Sequence, residues 1–220
     1  MNTELARFNM IEQQIRPWQV LDPAVLALLA AVKREDFVPQ KHRALAFVDT
    51  QVPLLDDPDG PCMLEPKVEA RLLQELRVQH SDRVLEIGTG SGFMAALLAH
   101  RAQSVTTVES VPELADRARQ NLQHAGLGRV KVVQGDGAGT LPVQGPWDVI
   151  LLSGSVAEMP QALLLQLKPG GRLAAVVGSK PIMRAIVATR VSDTAWSQTE
   201  IFDTVAPRLQ GFPEPSTFRF

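Results

Sequence analysis

Three glycines alternate in Gly88-Thr89-Gly90-Ser91-Gly92, directly after the run Val84-Leu85-Glu86-Ile87 and before Phe93-Met94-Ala95-Ala96-Leu97-Leu98-Ala99. This order reads as a buried strand, a tight turn and a helix. Glycine permits positive φ and a close approach of ligand to main chain, and the first turn of a helix leaves N–H groups unpaired. Together these features suit a nucleotide-type ligand. The spacing is G-x-G-x-G, whereas dinucleotide folds use G-x-G-x-x-G to bring a pyrophosphate to a helix N-terminus. Glu86 adds a carboxylate at the end of the strand, which repels a pyrophosphate and suits a ligand carrying a cationic amine. S-adenosylmethionine has that chemistry.

Two later strand ends extend the pattern. Glu109 closes Ser104-Val105-Thr106-Thr107-Val108, about 20 residues after Gly88, where a carboxylate accepts hydrogen bonds from ribose hydroxyls in folds of this type. Gly135-Asp136-Gly137 closes the next strand, and Asp136 is placed to accept from an adenine amino group, with Gly137 beside it. The expected cofactor site is therefore Glu86, Gly88, Gly90, Gly92, Glu109, Asp136 and Gly137. Metal and nucleophile chemistry find no comparable set: His42, His80, His100 and His124 are scattered, and Cys62 is the single cysteine.

The elements that must position these residues follow from periodicity. Leu5, Phe8, Ile11 and Ile15 recur at helical spacing up to Pro17, and Asp22-Pro23 starts a second helix with Val25, Leu26, Leu28, Leu29 and Val32 on its apolar side. Residues 44–66 lose periodicity, and the acidic run Asp56 to Pro61 reads as an exposed loop. A helix begins at Pro66. Strands over 84–87, 104–108, 130–134, 147–152 and 173–177 then alternate with helices over 93–99, 112–125 and 158–167, and Lys168-Pro169-Gly170-Gly171 fits a type II turn. Strand-like runs at 186–191 and 199–205 lie too close for a crossover helix and should pair antiparallel. The fold class is α/β, a doubly wound, mostly parallel, seven-stranded sheet with an antiparallel C-terminal hairpin. Residues 1–65 read as an N-terminal helical extension with its acidic loop, and residues 66–220 as a Rossmann-like core, one compact domain overall.

A chain of 220 residues with 45% apolar and 21% charged side chains can bury a full core. A formal net charge of -2 offers no electrostatic footprint for nucleic acid. No apolar run approaches a membrane span, the N-terminus lacks the pattern of a signal peptide, and one cysteine cannot form an internal disulfide, so a cytoplasmic location without membrane contact is the default.

These residues resemble the protein-L-isoaspartate O-methyltransferases. Val84 to Gly92 resembles the family's first cofactor motif, with an aromatic residue following at Phe93. The resemblance extends through Met10-Ile11-Glu12-Gln13-Gln14-Ile15, the Asp22 helix, Arg34-Glu35-Asp36-Phe37-Val38-Pro39, Ala46-Phe47-Val48-Asp49, Gly135-Asp136-Gly137, Trp147-Asp148-Val149-Ile150 and Leu167-Lys168-Pro169-Gly170-Gly171-Arg172-Leu173. It implies a Rossmann-like methyltransferase using S-adenosylmethionine, an isoaspartyl protein or peptide as partner, and a role in protein repair. Aligned on Pro66, Cys62-Met63-Leu64 stands where the family carries Thr-Ile-Ser, whose serine hydroxyl helps hold the acceptor carboxylate. The resemblance thus places an acceptor pocket at Cys62, Met63 and Leu64 and leaves the catalytic residue unassigned, because the hydroxyl position is Leu64. That replacement keeps two further readings open: a methyltransferase with a different acceptor, and a cofactor-binding protein without turnover that acts as an interaction module.

Overall fold

The computed structural model describes residues 2–57, 60–139, 141 and 143–214. Helix α1 (Thr3–Met10) is capped by Asn2, whose Oδ1 accepts from the Leu5 N–H at 3.2 Å. It continues through a wide turn at Ile11–Ile15 and a tight turn at Arg16–Trp18, ending where Gln19 takes φ 62. Ile11 and Ile15 are buried as the spacing predicts, but Leu5 and Phe8 are exposed and Arg7 takes the inward position. The reason is long-range: Arg7 pairs with Glu35, a partner that periodicity within the helix cannot reveal. Helix α2 (Pro23–Ala31) starts as expected, with Asp22 Oδ1 accepting from the Ala24 N–H at 2.8 Å.

Within residues 44–66, which lack periodicity, two short strands flank the run Asp56 to Pro61 expected as an exposed loop. Strands β1 (Val52–Pro53) and β2 (Cys62–Met63) pair antiparallel, and Val52, Leu54, Met63 and Leu64 are buried. Pro58 and Asp59 of the acidic run lie outside the described residues. Helix α3 (Pro66–Leu76) follows.

The main sheet is built from β3 (Arg83–Ile87), β4 (Ser104–Glu109), β5 (Lys131–Gln134), β6 (Trp147–Val156), β7 (Leu167–Ser179), β8 (Ile182–Arg190) and β9 (Trp196–Thr204), with α4 (Phe93–Ala99), α5 (Pro112–His124) and the single turn α6 (Gln161–Leu164) as connections. Its order is β5-β4-β3-β6-β7-β8-β9. Pairing is parallel from β5 through β7 and antiparallel for β7–β8 and β8–β9. The helix expected over 158–167 shrinks to α6, because β7 begins at Leu167. The expected turn lies inside that strand: Gly170 has φ 78, and Trp147 pairs with Leu167 while Val149 pairs with Arg172. Lys168 donates to Asp148 at 2.8 Å and ties this bulge to β6. No described helix is long and apolar enough to cross a membrane.

Central strands are apolar on both faces, as burial under helices on both sides demands. Val84 and Val149 share one core cluster with Met10, Ile15, Leu29 and Leu72, so the N-terminal helices and the sheet bury their apolar surface together. Leu85 and Ile150 face a second cluster with Leu164 and Trp147.

Arg34 fastens the extension to this core. Its side chain is buried, donates to Ala46 O at 3.2 Å and Leu64 O at 2.8 Å, and pairs with Glu69 on α3. The guanidinium also lies 5.1 Å from the centre of the Phe93 ring, which Phe37 meets edge-on at 5.5 Å. One cation thus reaches the extension, the segment before α3 and the start of the helix that follows the glycine turn. Arg34→Met strands two carbonyls and the buried Glu69 carboxylate, so it should lose about 3–5 kcal/mol, or roughly 6–20 °C in Tm. Denaturant and thermal unfolding measure this, and a loss under about 1 kcal/mol would show the pair to be dispensable.

Candidate active site

Strand order reverses between β3 and β6, and open parallel sheets bind ligands beyond the carboxyl ends of their strands at such a point. An open cleft lies there. The glycine turn after β3, Val108 and Glu109 at the end of β4, and Ser153 on β6 border it.

Beneath the turn is a hydrogen-bonded carboxylate. Glu86 is 0% exposed; its Oε2 accepts from Thr107 Oγ1 on β4 and its Oε1 from Ser153 Oγ on β6, both at 2.7 Å. The Thr107 hydroxyl in turn lies 2.6 Å from that of Thr89 within the glycine turn. Burial pushes the Glu86 carboxyl up to about 8, against the two hydroxyl hydrogen bonds that favour its charged form, with Glu109 and Glu69 adding to the rise. Glu86 does not border the main cleft. It faces a smaller inner cavity that Ser153, Cys62 and Leu64 also border.

Glu109 sits at the rim. Its Oε2 accepts from the Gly90 N–H at 2.8 Å and its Oε1 from the Val111 N–H at 3.0 Å, so the carboxylate fixes the glycine turn as well as facing the cleft. Gly88, Gly90 and Gly92 all have positive φ, at 88°, 53° and 86°. A side chain at Gly92 would press on Ala118 and Leu122 of α5, while one at Gly88 would meet Leu209 at 2.8 Å and one at Gly90 would meet Leu54 at 3.0 Å. The turn is therefore bare partly so that two leucines can roof it. Gly137 borders the cleft and packs on Ile87, whereas Asp136 is exposed, outside the cleft wall, and accepts from the Ala138 N–H at 2.8 Å.

The proposed acceptor residues separate. Cys62 borders both cavities; Met63 and Leu64 are buried and border only the inner one. Burial, with Glu65 and Glu69 nearby, pushes the Cys62 thiol up to about 12, so it stays neutral near pH 7. Periodicity missed Ser153, Thr107, Leu54 and the segment Pro207–Gln210, which lines the cleft together with Cys62. Only Ser153, a hydroxyl in the run Leu151-Leu152-Ser153-Gly154, carried a sequence signal as a polar interruption near a strand end.

The sequence model of the family described as Protein-L-isoaspartate(D-aspartate) O-methyltransferase matches residues 6–205. The chain belongs to that family. The match takes in the N-terminal extension as well as the sheet. Among similar proteins, a protein-L-isoaspartate O-methyltransferase of Methanoculleus marisnigri is 42% identical over 174 residues, 79% of this chain and 78% of its own. One from Rhodopseudomonas palustris is 38% identical over 213 residues, 94% of this chain and 96% of its own. A solved protein-L-isoaspartate O-methyltransferase superimposes with a TM-score of 0.80 at 24% identity, covering 93% of this chain and 66% of that one. A Plasmodium falciparum structure, described as a putative member in complex with S-adenosyl-L-homocysteine, gives 0.77 at 18% identity over 96% of this chain and 99% of its own. These two establish the shared fold.

The raised Glu86 carboxyl has a consequence for stability. The folded protein holds this proton up to about 8, whereas the ordinary value is 4.5, so the group contributes stability below pH 4.5 that is lost as pH rises toward 8. Glu86→Gln removes that component. Between pH 5 and 8 the variant should gain on the parent by on the order of 3 kcal/mol in denaturant unfolding. Parallel pH profiles for the two proteins would mean that Glu86 titrates as an ordinary carboxylate.

Proposed function

We propose that this chain is an S-adenosylmethionine-dependent carboxyl methyltransferase acting on isoaspartyl residues of proteins or peptides, in the manner of protein repair. The observation that carries this reading is the family match over residues 6–205, which includes the extension that methyltransferases in general do not need.

The cleft's residues fit the cofactor. Glu109 would hold the ribose hydroxyls: a carboxylate offers about four lone-pair sites, and the Gly90 and Val111 amides use two of them. The turn at Gly88, Gly90 and Gly92 would bring main chain close to the ligand, with Glu86 acting from below through Ser153. Gly137, which borders the cleft, would flank the base. When bound, S-adenosylmethionine supplies a methyl group activated by its sulfonium. The protein's own task is to align the acceptor and exclude water. Leu54, Leu209 and Cys62 supply apolar and neutral surface for that purpose. A carboxylate acceptor is ionised near neutral pH and requires no general base, so the reading asks none of the cleft's polar side chains, Asp57, Glu109, Ser110 and Ser153 among them, to remove a proton.

A second reading keeps the donor and changes the acceptor. It is favoured by Leu64, buried where the family's serine hydroxyl stands, and by the neutral Cys62 at the cleft.

Labelled donor, with an isoaspartyl peptide and its aspartyl isomer as acceptors, separates the two. The first reading predicts methyl ester on the isoaspartyl peptide alone; equal labelling of both peptides, or of neither while donor binds, contradicts it. Glu109→Ala should weaken S-adenosylhomocysteine binding at least tenfold, since a charged acceptor is worth about 1.5–3 kcal/mol. An unchanged Kd in calorimetry would confine Glu109 to shaping the turn.

A further inference from the structure

Two segments from distant parts of the chain line the cleft, and the amide of Gln51 makes hydrogen bonds toward both. One wall is the segment carrying Leu54, Pro61 and Cys62; the other is Pro207–Gln210. The second wall is anchored to β6 through Ser155, whose N–H donates to Pro207 O at 2.7 Å, whose hydroxyl donates to Ala206 O at 2.9 Å, and whose carbonyl accepts from the Leu209 N–H at 2.9 Å. Gln51, immediately before β1, spans the gap. Its Nε2 donates to Val205 O at 2.8 Å and to the two carboxylate oxygens of Glu65 at 3.3 and 3.4 Å, while its Oε1 accepts from the Cys62 thiol at 3.4 Å.

We propose that Gln51 is a positioning residue that sets the separation of the two cleft walls and thereby the alignment of the methyl acceptor. Only a carboxamide can fill this place. Its nitrogen carries two donors for a carbonyl and a carboxylate, and its oxygen takes a donor from the other side. A carboxylate of the same shape loses both donors and sets a second negative charge beside Glu65. An apolar side chain of similar length keeps the packing and loses every bond. Among the described residues Gln51 makes no hydrogen bond to the glycine turn or to Glu109, so its loss acts on the cleft through the register between Cys62 and Leu209. The acceptor half of this proposal rests on the isoaspartyl reading; the joining of the walls does not.

Gln51→Met and Gln51→Glu test it together. Both should lower kcat for an isoaspartyl peptide about tenfold, because misalignment is felt in the transition state, and by more than they raise the Kd for S-adenosylhomocysteine, whose cleft the same walls line. Both should also speed amide hydrogen exchange at Ser155 and Leu209 about tenfold, with exchange at Gly88 and Gly92 unchanged. Unchanged exchange at Ser155 and Leu209 in both variants overturns the proposal, as does a fall in kcat with Gln51→Met alone, which would show that the two donors missing from both variants do not hold the walls. If the parent methylates no isoaspartyl peptide, the acceptor half falls with that reading, and the exchange rates still decide whether Gln51 joins the walls.

Discussion

A carboxylate buried at the end of the central strand holds this site together. Glu86 accepts hydroxyl hydrogen bonds from Thr107 on one neighbouring strand and Ser153 on the other, and Thr107 passes the chain on to Thr89 in the glycine turn. Three strand ends and the turn above them are thereby fixed at the place where the sheet's order reverses. Burial favours the protonated form of Glu86 and the two hydroxyl hydrogen bonds favour the charged one, and its raised affinity for a proton reflects the balance between them. Glu109 does the same work one layer higher, gripping the Gly90 and Val111 amides.

The extension completes the site from outside the sheet. Arg34 reaches Ala46, Leu64, Glu69 and the Phe93 ring, so the segment leading to the cleft and the helix leaving the glycine turn are held by one cation. The same segment sends Leu54 over Gly90, and the stretch after β9 sends Leu209 over Gly88. Glycine here does two things at once, since positive φ turns the chain and the missing Cβ admits the roof. Chemistry that lacks a general base depends on such alignment, and in this chain alignment comes from residues scattered between positions 34 and 209.

Much of the fold could be read from the chain because parallel strands buried on both faces are written as short apolar runs, and Val84–Ile87, Ser104–Val108 and Trp147–Leu152 are of that kind. The carboxylates Glu86 and Glu109 were legible for a related reason: a charge at the end of such a run has to be placed at the sheet's edge. Contacts between distant segments were not legible. Arg7 displaced Phe8 from the buried face because of Glu35, and residues 52–53 and 62–63 pair across a loop whose composition reads as exposed. The apolar stretch at 161–167 suits a helix by spacing, yet Leu167 belongs to β7, where pairing with Trp147 outweighs local preference. Leu54 and Leu209 carry no pattern at all; only the folded chain brings them to the glycines.

A cleft bordered by the Gly88–Gly92 turn and the Glu109 carboxylate should take a sulfonium nucleoside and reject a dinucleotide. Calorimetric titration of the folded protein with S-adenosylhomocysteine and, separately, with NAD tests it. Saturable binding of S-adenosylhomocysteine with no heat from NAD at millimolar concentration is the predicted result. Binding of NAD, or no binding of S-adenosylhomocysteine at that concentration, would contradict it.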